Sequence, residues 1–243
     1  MEEKSSHWIT ISDMMSGIMM IFMMIAIAFM VTLENEKKQL ELQNEKMRDL
    51  AQNYSNLQQE LYQDLMKEFG KDLKKWDAFI DEDTTIRFQK QDILFDVGQK
   101  RVKERFQKIL DDFFPRYVRI LYGEKYRDFI EEIRIEGHTS KDWKEAQSLE
   151  RRYLGNAELS QERSFQVLKY CFSLPSITDK QEWLIKLLRA NGVSFAKPLS
   201  TDELSRRVEF QVSFKANEQI QKILQAGQNK QKETKDKEEN KAS

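Results

Sequence analysis

The feature that most constrains this chain is a run without a single charge, Met14 to Leu33, which reads MMSGIMMIFMMIAIAFMVTL. At ~1.5 Å of rise per residue, a helix of that length reaches about 30 Å, the thickness of a bilayer's hydrocarbon core. In hydrocarbon the backbone must satisfy its own hydrogen bonds, so the run has to be helical if it spans. A cleaved signal peptide would want a basic start and a shorter apolar stretch. Here the start is Met1-Glu2-Glu3-Lys4, without net positive charge. A retained transmembrane helix over residues 13–33 is expected, with residues 1–12 as its flank and interface. No cysteine stands near the start, so a lipid anchor is not expected. Orientation is not settled by charge: Lys4 precedes the run, while Lys37 and Lys38 follow it.

Asp13 stands at the edge of this run. Trp8 is a natural interfacial anchor, and Asp13 lies roughly 7–8 Å further along a helix from it. A carboxylate in that position is costly and faces a bundle interior or a water-filled path, where it marks an ion relay. Burial raises its pKa and lets it exchange a proton near neutral pH. The alternative is plainer. Ser12 and Asp13 are both good N-caps, and Asp13 would then only start the helix. Spacing alone leaves both readings open. Ser16 and Gly17, at i+3 and i+4, share a small polar face with Asp13, suited to close packing against partner helices.

Residues 34–80 are polar, with few helix breakers. Leu33, Leu40, Met47, Tyr54 and Leu61 recur every seven residues, with Leu50 and Leu57 between them. This is a weak heptad, expected as a helical stalk that either pairs two chains or stands alone as a spacer. Pattern changes at Thr84. Alternation predicts strands at 84–88, 130–136 and 207–214. Helical periodicity covers 102–121, with a break or kink at Pro115. A second helix is expected at 159–172, capped by Ser160, with Phe165, Leu168 and Cys171 or Phe172 inward. A third is expected at 183–190, ended by Asn191-Gly192. The order implies an α+β sandwich over residues 81–216, with helices on one face of a mixed sheet. Residues 217–243 lack an apolar period and are expected to be disordered.

Net charge is −1, which gives no electrostatic footprint for nucleic acid. One cysteine, Cys171, excludes an intrachain disulfide. With only His7 and His138 besides, no structural zinc is expected. There is no P-loop and no Ser-His-Asp order, so neither an enzyme nor a cofactor is expected.

Three segments together resemble the OmpA-like peptidoglycan-binding domain. Ile133-Arg134-Ile135-Glu136-Gly137-His138-Thr139-Ser140 ends a strand, Asn156-Ala157-Glu158-Leu159-Ser160-Gln161-Glu162-Arg163-Ser164 opens a helix, and Arg206-Arg207-Val208-Glu209-Phe210 opens the last strand. In that family an Asp and an Arg hold the charged groups of diaminopimelate in the wall peptide. The resemblance implies peptidoglycan binding through Asn156, Leu159 and Arg163. The family's Asp is Ser140 here, and the segment from Lys141 to Gly155 is longer than usual; Asp142 or Glu145 are candidates to replace it. His138 and Thr139 are expected to shape the loop. A membrane helix with an early Asp, a stalk and this domain is the layout of MotB-type stator subunits. Trp8 with Ser12-Asp13-Met14-Met15-Ser16-Gly17-Ile18-Met19-Met20 is more similar still to the MotB-like subunit of Zorya anti-phage defence systems. That resemblance implies Asp13 as the ion-translocating residue and a dimer within a ZorA-like multi-span membrane ring. It also implies an inner-membrane location, with the N-terminus in the cytoplasm and the domain in the periplasm. A flagellar stator subunit, or a passive membrane-tethered wall anchor, remains an alternative.

Overall fold

The computed structural model describes residues 2–89, 91–96, 98–142 and 148–215. Glu145 and the charged tail beyond residue 216 lie outside them, as does the side chain of Trp8. The chain divides into two compact units, the second being Gln52–Ala216.

Helix α1 runs from Glu2 to Phe69. In the first unit its apolar residues from Met14 to Leu33 are exposed, and the helix is long and apolar enough to cross a membrane. The few hydroxyls there are satisfied internally: Ser16 donates to the Ser12 carbonyl at 2.8 Å and Thr32 to that of Ala28 at 3.0 Å. This is how a polar side chain survives in lipid.

The second unit is α+β. Its sheet contains β1 (Ala78–Ile80), β2 (Ile86–Phe88), β3 (Ile130–His138), β4 (Leu188–Ser194) and β5 (Val208–Phe214), in the order β1-β2-β5-β3-β4. All neighbours are antiparallel except β3 and β4, which are parallel. The short helix α2 spans Leu73–Trp76, and α3 spans Gln91–Leu94. Helix α4 (Glu104–Leu121) buries Phe106, Leu110, Phe113, Phe114, Tyr117 and Val118. Alternation puts Val208 and Phe210 on one face of β5, where Phe210 meets the rings of Phe88, Phe113, Phe114 and Tyr117. Pro115 lies inside α4 without ending it.

Three elements differ from the sequence expectation. The helix expected from Leu159 begins ten residues earlier, so α5 is Leu149–Phe172, and its N-cap is Ser148, whose hydroxyl accepts from the Arg151 N–H. Ser160 is therefore interior. It is buried, donates to the Ala157 carbonyl and accepts from the Ser194 N–H at 3.0 Å. Phe165 points outward, 48% exposed, and the buried face carries Asn156, Ser160, Arg163, Ser164, Val167 and Cys171. The helix expected over 183–190 is α6, Gln181–Leu187, preceded by a 3-10 turn at Pro175–Lys180. Asn191-Gly192 does not end it; both belong to β4. Helix α7 (Asp202–Ser205), capped by the Thr201 hydroxyl, leads into β5.

Two glycines explain how close α5 lies to the sheet. Gly137 on β3 pairs with Gly192 on β4. A Cβ on Gly137 would sit 2.3 Å from the Ser160 carbonyl oxygen, and one on Gly192 would sit 2.3 Å from the Gln161 nitrogen. Gln161 then pairs with the main chain of β4, accepting from the Gly192 N–H at 2.7 Å and donating to the Ala190 carbonyl at 3.1 Å. Its amide supplies the ladder partner that this edge strand otherwise lacks.

The last turns of α1 also belong to this core. Leu61, Leu65 and Phe69 are fully buried and Leu57 packs against them. The end of the weak heptad is thus spent within its own chain. Ion pairs tie it further: Arg116 contacts Glu68 at 2.8 Å and Asp72 at 3.0 Å, with its guanidinium over the Phe69 ring. Tyr126 donates to Asp64 at 2.6 Å.

Candidate functional site

Helix α5, the end of β3 and the entry to β5 meet around a small, partly open cavity. It is lined by Leu94, Phe95, His138, Arg163, Arg206 and Arg207 and has about 10 Å³ of free volume, room for a single water. Arg163 reaches it from the buried face of α5, where it is 4% exposed. Its guanidinium donates to the carbonyls of Gln99 at 3.1 Å and Asp96 at 3.3 Å, and stacks over the Phe95 ring. Among the described residues no carboxylate pairs with it. Burial, and then the positive charge of Arg206, lower its pKa to about 10, so it remains a cation at neutral pH. A buried guanidinium beside a second cation is costly unless an anion joins it.

Arg206 closes the other wall. Its Nη1 donates to the Ser140 hydroxyl at 3.0 Å and lies 3.8 Å from the Asp142 carboxylate. Among the described residues its Nε is buried without a partner, as is Nδ1 of His138.

Behind the cavity, on the sheet face away from α5, stands a saturated network. His138 Nε2 lies 3.3 Å from an oxygen of both Glu136 and Glu209. Glu209 also accepts from Arg207 at 2.6 Å and Arg87 at 2.8 Å. Glu136 accepts from Arg134 at 3.2 Å and Lys197 at 3.1 Å. Burial by itself would raise both pKa values. The contacts with His138 and these cations outweigh it, holding Glu136 down to about 2 and Glu209 well below the carboxylate range. The three residues have the spacing of metal ligands. Yet the Gln211 amide also points at both inner oxygens, at 3.4 and 3.0 Å, so N–H donors already fill the positions a cation would need. His138 contacts this strand network and also lines the cavity.

Of the residues expected at the wall site, only Arg163 lines the cavity. Asn156 shares its buried helix face two turns earlier and donates to the Arg152 carbonyl at 3.1 Å. Leu159 is half-buried. Arg206 was legible only as part of a strand-opening motif; its signal is that it precedes the strand paired with β3, beside the loop carrying Ser140. Asp13 belongs to the other unit. It lies about three turns past the start of α1, so it is no N-cap, and its side chain is exposed on the helix surface.

The chain thus combines one apolar, membrane-length helix carrying Asp13 with an α+β domain that buries a cluster of arginines. No family model matches it. It is 41% identical to Zorya protein ZorB of Escherichia coli strain ATCC 8739 over 231 residues, 92% of this chain and 94% of that one. The chain belongs to the ZorB family of Zorya proteins. Identity is 29% over 221 residues to the protein of the same name from Escherichia coli O139:H28, covering 88% of this chain and 82% of that one. Among solved structures, a MotB-like protein from Desulfovibrio vulgaris superposes with a TM-score of 0.47 at 22% identity, over 69% of this chain and 94% of that chain.

Proposed function

We propose that this chain is the ion-conducting, wall-anchored stator subunit of a Zorya anti-phage machine. It spans the inner membrane once, N-terminus in the cytoplasm and domain in the periplasm. Two copies sit within a ring of a ZorA-like multi-span partner. Protons pass by loading onto and leaving Asp13 of each copy. Each protonation removes a buried charge and changes which ring contacts are favourable, which turns ring against dimer. The domain holds the dimer still by binding peptidoglycan through Arg163, with Asn156 and Leu159 on the same helix. The chain itself is non-catalytic and needs no cofactor.

The observation that carries this reading is Asp13 inside a helix, beside an uncharged membrane-length run, where it has no capping duty. The test is phage plating on cells carrying the native gene cluster, with wild type and with Asp13→Asn. Asparagine keeps size and polarity and cannot carry the proton. Protection should collapse while protein level and membrane insertion hold. Full protection by the variant would leave a passive wall anchor. No protection by the wild type against a broad phage panel would remove the defence role.

A further inference from the structure

A narrow stripe of α1 is covered along the stalk. Between residues 34 and 53 only Gln39, Gln43, Met47 and Leu50 are half-buried; the other side chains there are exposed. Their spacing of four, four and three keeps them on one face of the helix, which Tyr54 shares. A bare helix does not shield a side chain this far, since Leu40 and Leu42 stay 59% and 40% exposed. The covering arises within a single chain. The unit that holds Met1–Ala51 otherwise contains only Asn217–Ser243. The last described residue also lies beside this face: the Tyr54 hydroxyl donates to the Lys215 carbonyl at 2.9 Å.

We infer that residues 217–227 of the same chain dock on this stripe, running back along α1 antiparallel to it. The Tyr54–Lys215 bond sets the register, because each step beyond Lys215 falls opposite one step before Tyr54. With Ala216 opposite Tyr54, Ile220 meets Leu50, Ile223 meets Met47 and Gly227 meets Gln43. Ile220, Ile223 and Leu224 are the only large apolar residues beyond Lys215, and they stand three and four apart, as one helical face requires. A helix over residues 217–227 spans about 16 Å, the length of α1 from Tyr54 back to Gln43. The stripe and the segment change from apolar to polar at the same point: Gln43 and Gln39 follow Met47, and no large apolar residue follows Gly227. With the segment seated, a second copy cannot pair through this face of the stalk.

The test uses the full chain in detergent micelles at micromolar concentration. Cys171 is buried, so introduced thiols are not confused with it. In the variant carrying Met47→Cys and Ile223→Cys, oxidation by copper phenanthroline should close a disulfide within one chain, read as a monomer of altered mobility on a non-reducing gel. Asp49→Cys with Ile223→Cys puts the first thiol on the far side of α1 and should react at least about tenfold more slowly. Equal rates for the two pairs would overturn the inference. A link that joins Met47→Cys of one chain to Ile223→Cys of another, found by mixing differently tagged copies, would also overturn it, since the occupant is then another copy's tail. A dimer as the main product of Met47→Cys alone would do the same, making the occupant a second stalk. Hydrogen exchange on wild type needs no substitution: peptides covering residues 217–227 should exchange about tenfold more slowly than those covering residues 232–243. Equal exchange in the two would sink the inference whatever the variants do to folding.

Discussion

Replacing Gly137 by alanine probes the contact that brings Arg163 to the cleft. The new methyl would lie 2.3 Å from the Ser160 carbonyl oxygen and 3.1 Å from its carbon. A carbon–oxygen contact settles at about 3.3 Å or more, so α5 must withdraw by about 1 Å. Neither side can rotate away, because the clash is with main chain. Withdrawal stretches the Ser194–Ser160 hydrogen bond and the two bonds from Gln161 to β4. Overpacking costs about 1–3 kcal/mol and the three weakened hydrogen bonds roughly 1 kcal/mol each, which places the loss at about 4–6 kcal/mol. For a domain of this size each 1 kcal/mol moves Tm by about 2–4 °C, so Tm should fall by about 8–24 °C. Thermal unfolding of the full chain in detergent micelles, followed by near-UV circular dichroism, reads this directly. A fall of less than about 3 °C would refute the reasoning, since it would mean that the helix and strand are not in backbone contact.

Other outcomes follow from the charged face and the helix junction. Glu136 and Glu209 have folded pKa values below their unfolded ones, so their contribution is complete above the ordinary carboxylate pKa and fades as pH falls toward about 2. Urea midpoints measured from pH 5 down to pH 2 should drop steadily in wild type and more shallowly in Glu209→Gln; equal slopes would show that the network does not set acid stability. Arg116→Ala should cost about 1–3 kcal/mol in urea unfolding, because it leaves Asp72 without its cation and Glu68 with only the more exposed Arg119. Arg116→Lys should recover less than half of that, having one ammonium for two partners and no planar face for the Phe69 ring; full recovery would reduce the contact to simple charge.

Much of this was legible because some elements bury apolar residues at a clean period. Helix α4 and strands β2, β3 and β5 do so, while the membrane-length run was legible from its length and lack of charge alone. Legibility failed where the buried face is polar. The inward stripe of α5 holds Asn156, Ser160, Arg163 and Ser164, so apolar periodicity assigned Phe165 to the wrong side and started the helix late. Strand β4 reads LRANGVS, with no alternation, because Gly192 is chosen for its closeness to Gln161 and not for a turn. The site split the same way. Arg163 carried a motif; Arg206, from a different segment, reaches the same cavity only through the fold.

The buried end of α1 has a mechanical meaning. Extracting Leu61, Leu65 and Phe69 from the core would cost roughly 5–9 kcal/mol, at about 1.5–3 kcal/mol for each side chain. One elementary charge moving through 100 mV releases about 2.3 kcal/mol. A single ion's worth of work is therefore too small to pull this end of the helix loose. On the proposed function, the packed helix end would carry such a load into the core of its unit and not peel away from it.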